Sequence, residues 1–305
     1  MLSLDLLVFV SLIYVAFLFG VAFWAERAAN MGRGGWMRTP LIYTLSLSIY
    51  CTAWTFYGAV GYAARSGLEF LTIYLGPTAV LIGWWLILRR LVRIARAERI
   101  TSIADLISSR FGKSAFLGGL VTVMAVVGTT PYIALQLQSV TLSVSVFAKD
   151  AQSIISTSNI ALWVAAGLTV FTIVFGTRNL DVNERHSGVV MAIAVEAIVK
   201  LLALLAVGVF VVWGLADGVG DVLARVDASP ISQWQVSTGR WLGLTFLSAA
   251  AFLCLPRMFQ VMVVENSEES HLTTASWAFP LYLLLMSLFV IPIAVVGLDI
   301  LPVGS

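Results

Sequence analysis

Long apolar runs separated by short polar segments recur along the whole chain. A run of about 18 or more apolar residues crosses the roughly 30 Å hydrocarbon core of a bilayer as one α-helix, whereas barrel strands are shorter and alternate. The pattern therefore predicts an all-α, polytopic membrane bundle of eight helices. These cover residues 4–25, 41–62, 68–90, 116–147, 159–177, 188–213, 239–260 and 273–298.

Two opposite charges interrupt the sixth predicted helix. Glu196 and Lys200 lie four residues apart in "AIAVEAIVKLLALLAVGVFVVW", which places both on one face with glutamate on the favourable N-terminal side. An ionised residue near the centre of a membrane helix costs about 2.5–3.5 kcal/mol, so the two charges need to neutralise one another. We interpret the pair either as a device that fixes helix packing or as the lining of a polar pathway for solute or ions.

The second predicted helix is apolar overall but rich in hydroxyl and small residues. In transporters, interrupted helices of this kind leave backbone carbonyls free to hold a cation. Small residues also allow close helix packing, so both interpretations stay open. The residues concerned are Thr44, Ser46, Ser48, Thr52, Thr55, Gly58, Gly61 and Gly67.

Helices three and four each contain a proline, Pro77 and Pro131, which removes a helical hydrogen bond and allows a kink. Gln136 and Gln138 add amide groups to helix four. Such amides either hydrogen-bond between helices or line a cavity. We therefore include Gln136 among the residues that are candidates for contact with a solute.

The composition agrees with a membrane protein and limits its chemistry. Of the 305 residues, 60% are hydrophobic and 11% are charged, against about 25% charged residues in soluble domains. Cys51 and Cys254 fall inside predicted spans, while His186 and His271 fall in predicted loops. Neither set can form a disulfide framework, a zinc-type metal site or a haem site within the helices. We identify no catalytic residues and expect no organic cofactor.

Arginine and lysine are distributed unevenly between alternate loops, which predicts the orientation. Under the positive-inside rule the richer side faces the cytoplasm, so we expect the N-terminus and residue 305 to lie outside. The richer side carries Arg27, Arg33, Arg38, Arg89, Arg90, Arg93, Arg96, Arg99, Arg110, Lys113, Arg178, Arg185 and Arg257. The other side carries Arg65, Lys149, Arg225 and Arg240.

Several stretches resemble the sodium/solute symporter family. The segments "SIYCTAWTFYGAVGYAARSGLEF" and "YLGPTAVLIGWWLILRRLVRIARAERITSIADLISSRFGKS" are similar to the family's helix two, helix three and the cytoplasmic segment that follows. The segment "FLCLPRMFQVMVVENS" is similar to a stretch at the end of the seventh helix. It departs from the family pattern because Val261 replaces the usual arginine, and that stretch adjoins the substrate path.

A narrower resemblance covers nearly the whole chain. In this order, "CTAWTFYGAVG", "YIALQLQSV", "FGTRNLDVNERHSGVVMAIAVEAIVKLL" and "LPRMFQVMVVEN" are similar to the symporter-like membrane domain of bacterial sensor histidine kinases. This resemblance implies a multi-pass protein of the bacterial cytoplasmic (inner) membrane that takes part in a two-component system. Its partners would be the lipid bilayer, a small solute, a cytoplasmic kinase and a response regulator. No nucleic-acid partner is expected.

The resemblance also implies a fold and a site. The family fold is an inverted repeat of five plus five helices that binds sodium at a broken helix two. Carried over to this chain, the sodium-binding carbonyls fall at Ser48 and Cys51, and Glu196 matches an acidic position of the sixth helix. The residues expected to face the solute are Trp54, Thr55, Phe252 and Pro256.

Eight helices cover only part of that fold, and the hydroxyl pair of the family's ninth helix has no counterpart among them. We therefore expect a partial inverted repeat that continues beyond residue 305. The favoured function is a sensory input domain that binds or moves a small polar solute, such as an amino acid or an organic acid, for a kinase encoded further on. A stand-alone cation-coupled transporter and a structural membrane subunit are the alternatives. The choice between sodium and protons stays open.

Overall fold

The computed structural model describes residues 4–147, 157–176, 187–235 and 237–300. Every regular element in these ranges is an α-, 3₁₀- or π-helix, which confirms the all-helical class. The α-helices are α1 Leu4–Asn30, α2 Pro40–Ser46, α3 Ala59–Ser66, α4 Thr72–Ile82, α5 Leu88–Glu98, α6 Ile103–Arg110, α7 Ala115–Phe147, α8 Thr157–Gly176, α9 Ser187–Phe210, α10 Val219–Ala228, α11 Thr238–Cys254, α12 Pro256–Phe259, α13 His271–Ser287 and α14 Val290–Ile300.

Four helical segments of the described chain are long and apolar enough to cross a bilayer, and a bent pair would make a fifth. The pair joins Thr238–Cys254 to Pro256–Val264 at an angle of 59°. These segments support a helical membrane bundle, while the expected count of eight spans stays a prediction. The four single segments are Leu6–Asn30, Ala115–Val144, Gly188–Leu215 and His271–Ile300.

The predicted second helix, residues 41–62, is interrupted near its middle. After α2, a 3₁₀ turn covers Leu47–Tyr50, and the backbone then becomes extended at Cys51 (φ −80°, ψ 102°). A π-helix, Trp54–Gly58, leads into α3. The Ser46 hydroxyl donates to the Tyr43 carbonyl at 2.8 Å. Such local side-chain bonds compete with the helical pattern, which helps to end α2 where hydroxyl residues are concentrated.

The predicted third helix, residues 68–90, is also divided. Gly67 takes a left-handed φ of 53°, and a Cβ at this position would lie 2.9 Å from the Trp234 side chain. Only glycine meets both conditions without strain. A 3₁₀ turn then leads into α4, and residues 83–87 separate α4 from α5. The hydropathy pattern does not predict this second break because residues 83–87, GWWLI, continue the apolar run of α4.

The residues that the structure describes fall into two compact units, while the single symporter-like domain stays a prediction. The first comprises residues 1–34 and 103–192, and the second comprises residues 35–102 and 193–305. In the first unit α7 packs against α6 and α8. Large apolar side chains of α7 are exposed, among them Val123 and Met124. Such a surface suits contact with lipid tails, which are themselves apolar.

In the second unit α4 packs against both α11 and α13. Gly76 allows the close approach of α4 to α11, because a Cβ there would lie 2.5 Å from the Ala249 backbone nitrogen. Three aromatic rings stack in the core of this unit. The ring centroids of Phe252 and Phe279 are 6.0 Å apart, and those of Phe279 and Tyr282 are 5.9 Å apart. The broken second helix therefore lies in a unit with a well-packed core.

Candidate functional site

The break in the second predicted helix releases a backbone carbonyl. In a continuous α-helix the Thr55 N–H would donate to the Cys51 carbonyl one turn earlier. It donates instead to the Thr52 carbonyl, at 2.9 Å. The Cys51 N–H donates to the Ser48 carbonyl at 2.8 Å, which closes the 3₁₀ turn. Because Cys51 is 1% exposed, its carbonyl needs a donor from elsewhere in the protein.

Lys200 supplies that donor. Its ammonium donates to the Cys51 carbonyl oxygen at 3.0 Å and lies 2.9 Å from Oε1 of Glu196. The Lys200 side chain is 17% exposed and that of Glu196 is 37% exposed. The two charges thus form an ion pair on one face of α9. Lys200 also hydrogen-bonds the Cys51 carbonyl, a contact that the sequence did not predict. A role of this pair in function stays a prediction.

Two buried hydroxyl groups near the break make no well-formed hydrogen bond among the described residues, but each lies beside another hydroxyl, that of Tyr282 for Ser48 and that of Thr55 for Tyr74. The Tyr74 ring lies 6.4 Å from that of Trp54. The Tyr282 hydroxyl, on α13, donates to the Ala197 carbonyl of α9 at 3.1 Å. Buried polar groups in proteins nearly always have partners. The Ser48 and Tyr74 hydroxyls therefore belong to a cluster of hydroxyl groups beside the break, together with Tyr282 and Thr55.

Trp54 and Thr55, which the resemblance expects to face the solute, lie in the π-helix after the break. Thr55 is buried and Trp54 is partly exposed. A Cβ at Gly58 would lie 2.3 Å from the Trp54 indole, so glycine at this position sets where the indole can lie. Single π-helical turns are frequent at functional sites, which is consistent with the expected role of this segment.

The bend between α11 and α12 contains the other two residues expected to face the solute. Pro256 is exposed and begins α12, after an extended backbone at Leu255 (φ −63°, ψ 129°). Phe252 is fully buried, and its ring centroid lies 5.5 Å from that of Tyr50. Phe252 therefore packs in the aromatic core beside the break. Gln136, the remaining candidate, is half-buried on α7 in the first unit.

Pro77 creates a second carbonyl that side chains must satisfy. Proline has no N–H, so the Ile73 carbonyl loses its helical donor. The hydroxyls of Tyr50 and Ser248 donate to it at 2.8 and 2.7 Å, and these two oxygens are 3.2 Å apart. This network joins the 3₁₀ turn, α4 and α11. The proline indicated a free carbonyl at residue 73 from sequence, but its distant partner Ser248 could not be predicted.

A charged cluster joins α5 to the segment before α13. Glu269 accepts hydrogen bonds from Arg93, at 2.7 and 3.0 Å, and from Arg89. Arg96 donates to the Asn266 side-chain oxygen at 2.6 Å. The hydrogen bonds from Arg93, together with those from Arg89, lower the pKa of the Glu269 carboxyl to about 2. The carboxylate therefore stays ionised at every physiological pH.

A second charged cluster joins α3 to α11 through the 3₁₀ turn that precedes α4. Glu69 is 7% exposed and accepts hydrogen bonds from the Tyr62 hydroxyl, at 2.8 Å, and from the Arg240 guanidinium. Arg240 also donates to the Tyr62 hydroxyl at 3.2 Å. The charge pattern assigns the arginines of the two clusters to opposite sides of the membrane, Arg89, Arg93 and Arg96 to the richer side and Arg240 to the other. Which side faces the cytoplasm stays a prediction.

The predicted loop position of His271 was wrong. His271 is the first residue of α13 and is 3% exposed, because this helix begins earlier than its apolar run indicates. Its ring centroid lies 5.9 Å from that of Tyr43, and the Tyr43 hydroxyl donates to the Met262 carbonyl at 2.8 Å. The other predicted loop residues His186, Lys149, Arg178 and Arg185 lie outside the described residues.

The carbonyls assigned to sodium by the resemblance fit a bound sodium ion poorly. The Ser48 carbonyl accepts the Cys51 N–H, and the Cys51 carbonyl accepts the Lys200 ammonium. A cation at these oxygens would lie against a like charge. Over the ranges that the structure describes, no cluster of three or more His, Cys, Asp or Glu side chains offers another metal site.

Comparison with known proteins supports a transporter-like membrane module. The chain is 26% identical over 235 residues to "Uncharacterized symporter YhjB" of Bacillus subtilis (strain 168), an alignment that covers 75% of this chain. The chain spans 45% of that protein's length. No protein-family model and no solved structure match the chain. A relation to sensor histidine kinases stays a prediction.

Proposed function

We propose that this chain is a membrane module that binds a small polar solute at the broken second helix. The proposal rests on one observation. The break leaves the Cys51 carbonyl without its helical N–H donor, and the Lys200 ammonium donates to it instead. In secondary transporters, discontinuous membrane helices form the substrate and ion sites, because the break leaves backbone N–H and carbonyl groups free to bind charged groups. The similarity to a symporter agrees with this reading.

The polar groups at the break favour an amino acid or an organic acid as the solute. Ser48 and Tyr74 place buried hydroxyls beside the break, and hydroxyls both donate to carboxylates and accept from amines. A purely apolar solute would form no hydrogen bonds with these groups.

We infer a sensory role from the four quoted motifs. The module would report solute binding to a cytoplasmic histidine kinase and its response regulator, from the bacterial inner membrane with its N-terminus outside. Sequencing the gene beyond codon 305 tests this role. Further membrane spans followed by a kinase would support it, whereas further spans without a kinase would favour a stand-alone transporter.

Ligand-dependent melting of the purified chain in detergent tests solute binding itself. The melting temperature, Tm, would be measured with the standard amino acids and with di- and tricarboxylic acids. A ligand at about 100 times its Kd adds roughly 2.7 kcal/mol of stability, which is a shift of several degrees for a chain of this size. We expect one solute class to raise Tm, and the others to leave it unchanged.

A matched pair of glycine variants locates the binding. Gly58→Ala would push the Trp54 indole aside, whereas a Cβ at Gly61 on the next turn meets nothing within 4 Å. We expect Gly58→Ala to remove the ligand shift and Gly61→Ala to keep it. If no solute raises Tm in the wild type, the structural-subunit alternative is favoured, in which the polar residues only hold helices together.

A further inference from the structure

The Cys51 carbonyl has a cation that belongs to the protein itself. Lys200 is 149 residues away in the chain, yet its ammonium donates to this oxygen at 3.0 Å. The same ammonium pairs with Glu196 at 2.9 Å. In the structure the lysine ammonium therefore lies against the freed carbonyl, and it is attached covalently to α9.

Of the two carbonyls that the resemblance assigns to sodium, the Cys51 carbonyl is the one that Lys200 uses. The Ser48 carbonyl is engaged by the Cys51 N–H at 2.8 Å, and the carboxylate nearest to the Cys51 carbonyl is already paired with Lys200. A sodium ion at this carbonyl would lose the carboxylate to the ammonium and would lie beside a like charge with limited solvent to screen it.

We propose that the Lys200 ammonium takes the place of the coupling cation at the break, so that this site works without bound sodium. The inference rests on the proposed solute site for its biological meaning but not for its test. It contradicts the sodium assignment implied by the symporter resemblance. Because the lysine cannot leave, the broken helix keeps its partner whatever the sodium concentration on either side of the membrane.

Melting of the purified chain in different salts tests this inference without any solute. Tm is compared in sodium chloride and choline chloride at equal ionic strength, because choline is too large for a site between helices. We expect the wild type to melt at the same temperature in both salts. A sodium-specific rise in the wild-type Tm would overturn the proposal.

Lys200→Ala gives the complementary result. This variant keeps the Glu196 carboxylate and the Cys51 carbonyl but removes the ammonium between them. We expect it to melt at a lower temperature in choline chloride and to gain at least about 2 °C in sodium chloride, since a small cation then binds the vacated groups. Ethylammonium chloride, whose cation mimics the lysine tip, should also raise its Tm. A folded variant that responds to neither cation would overturn the proposal.

Two control variants test whether the cation-dependent rise in Tm is specific to the removal of Lys200. Lys113→Ala removes a lysine from the other compact unit and should show no cation response. Glu196→Gln combined with Lys200→Met removes both charges and should also show none, because no carboxylate remains for the cation. If Lys200→Ala does not fold, the comparison of the wild-type Tm in sodium chloride and in choline chloride still tests the proposal. The solute titration described above succeeds or fails independently of every one of these results.

Discussion

Arg93 and Glu269 are 176 residues apart in the chain and meet through two hydrogen bonds, at 2.7 and 3.0 Å. The contact joins α5 to the segment that precedes α13. Since α4 and α2 both pack on α13, this ion pair lies at the edge of the unit that contains the broken helix. Its strength depends on the ionisation of a single carboxylate.

Acidification should weaken the Arg93–Glu269 ion pair in a defined pH range. The folded-state pKa of Glu269 is about 2, below its ordinary value of 4.5. A depressed carboxyl pKa adds stability that is fully present above the ordinary pKa and is lost as the pH falls through the folded value. We expect the Tm difference between wild type and Glu269→Gln to be constant above pH 4.5 and to shrink towards pH 2.

Glu268→Gln is the matched control for this experiment. Glu268 is the neighbouring residue, with a side chain that is 68% exposed, and its substitution should give a much smaller Tm difference across the same pH range. A Glu269→Gln difference that is independent of pH would show that the carboxylate contributes nothing through its charge.

Removing one charge of the Glu196–Lys200 pair should be worse than removing both. Glu196→Gln leaves a largely buried ammonium with only the Cys51 carbonyl, and we expect a loss of about 1–3 kcal/mol in the free energy of unfolding. Glu196→Gln with Lys200→Met should lose less, because no unpaired charge remains. Denaturation in detergent measures both. Equal stability of the wild type, the single variant and the double variant would contradict the importance of the pair.

Gly76→Ala should separate α4 from α11. The added Cβ would lie 2.5 Å from the Ala249 nitrogen and 2.6 Å from the Ser248 hydroxyl, so we expect a loss of about 1–3 kcal/mol from overpacking. Gly243→Ala is the control, since a Cβ there meets nothing within 4 Å. That variant should be neutral or slightly stabilising because alanine favours helices. Similar stabilities of the two variants would show that the close helix approach does not need glycine.

Arg240→Met should destabilise the chain because it leaves the buried Glu69 carboxylate without its positively charged partner. Glu69 is buried and would keep only the Tyr62 hydroxyl as a partner. We expect Tm to fall by about 2–4 °C and to recover partly when Glu69→Gln is added. Arg65→Met, at an exposed arginine of α3, should leave Tm unchanged. A double variant that melts no higher than Arg240→Met would exclude the buried charge as the cause.

The sequence predicted the features that depend on neighbours in the chain. Apolar length indicated the long membrane helices, and four-residue spacing indicated that Glu196 and Lys200 lie on one face. The hydroxyl and small residues of the second helix left an interrupted helix and close helix packing as open interpretations, and the structure shows a break at Cys51. Each of these depends on local backbone geometry, which composition and spacing reveal.

The partners of the site depend on how distant segments pack, which no local pattern contains. Nothing near Cys51 in the chain indicates that its carbonyl meets Lys200, and nothing near Pro77 indicates that Ser248 satisfies the carbonyl it frees. The burial of Phe252 also depends on the packing of segments that are distant in the chain. A residue next to a helix bend is equally suited to face a solute or a core, and only the packing of α11 against its neighbours decides.

Lys200 recognises a main-chain oxygen, which every kind of residue carries. A change of the Cys51 side chain to another small residue therefore leaves the contact intact as long as the break persists, whereas any change at Lys200 to an uncharged residue removes it. Natural variants of this protein should accordingly vary at position 51 while keeping a basic residue at position 200. Two positions that touch would then evolve at different rates.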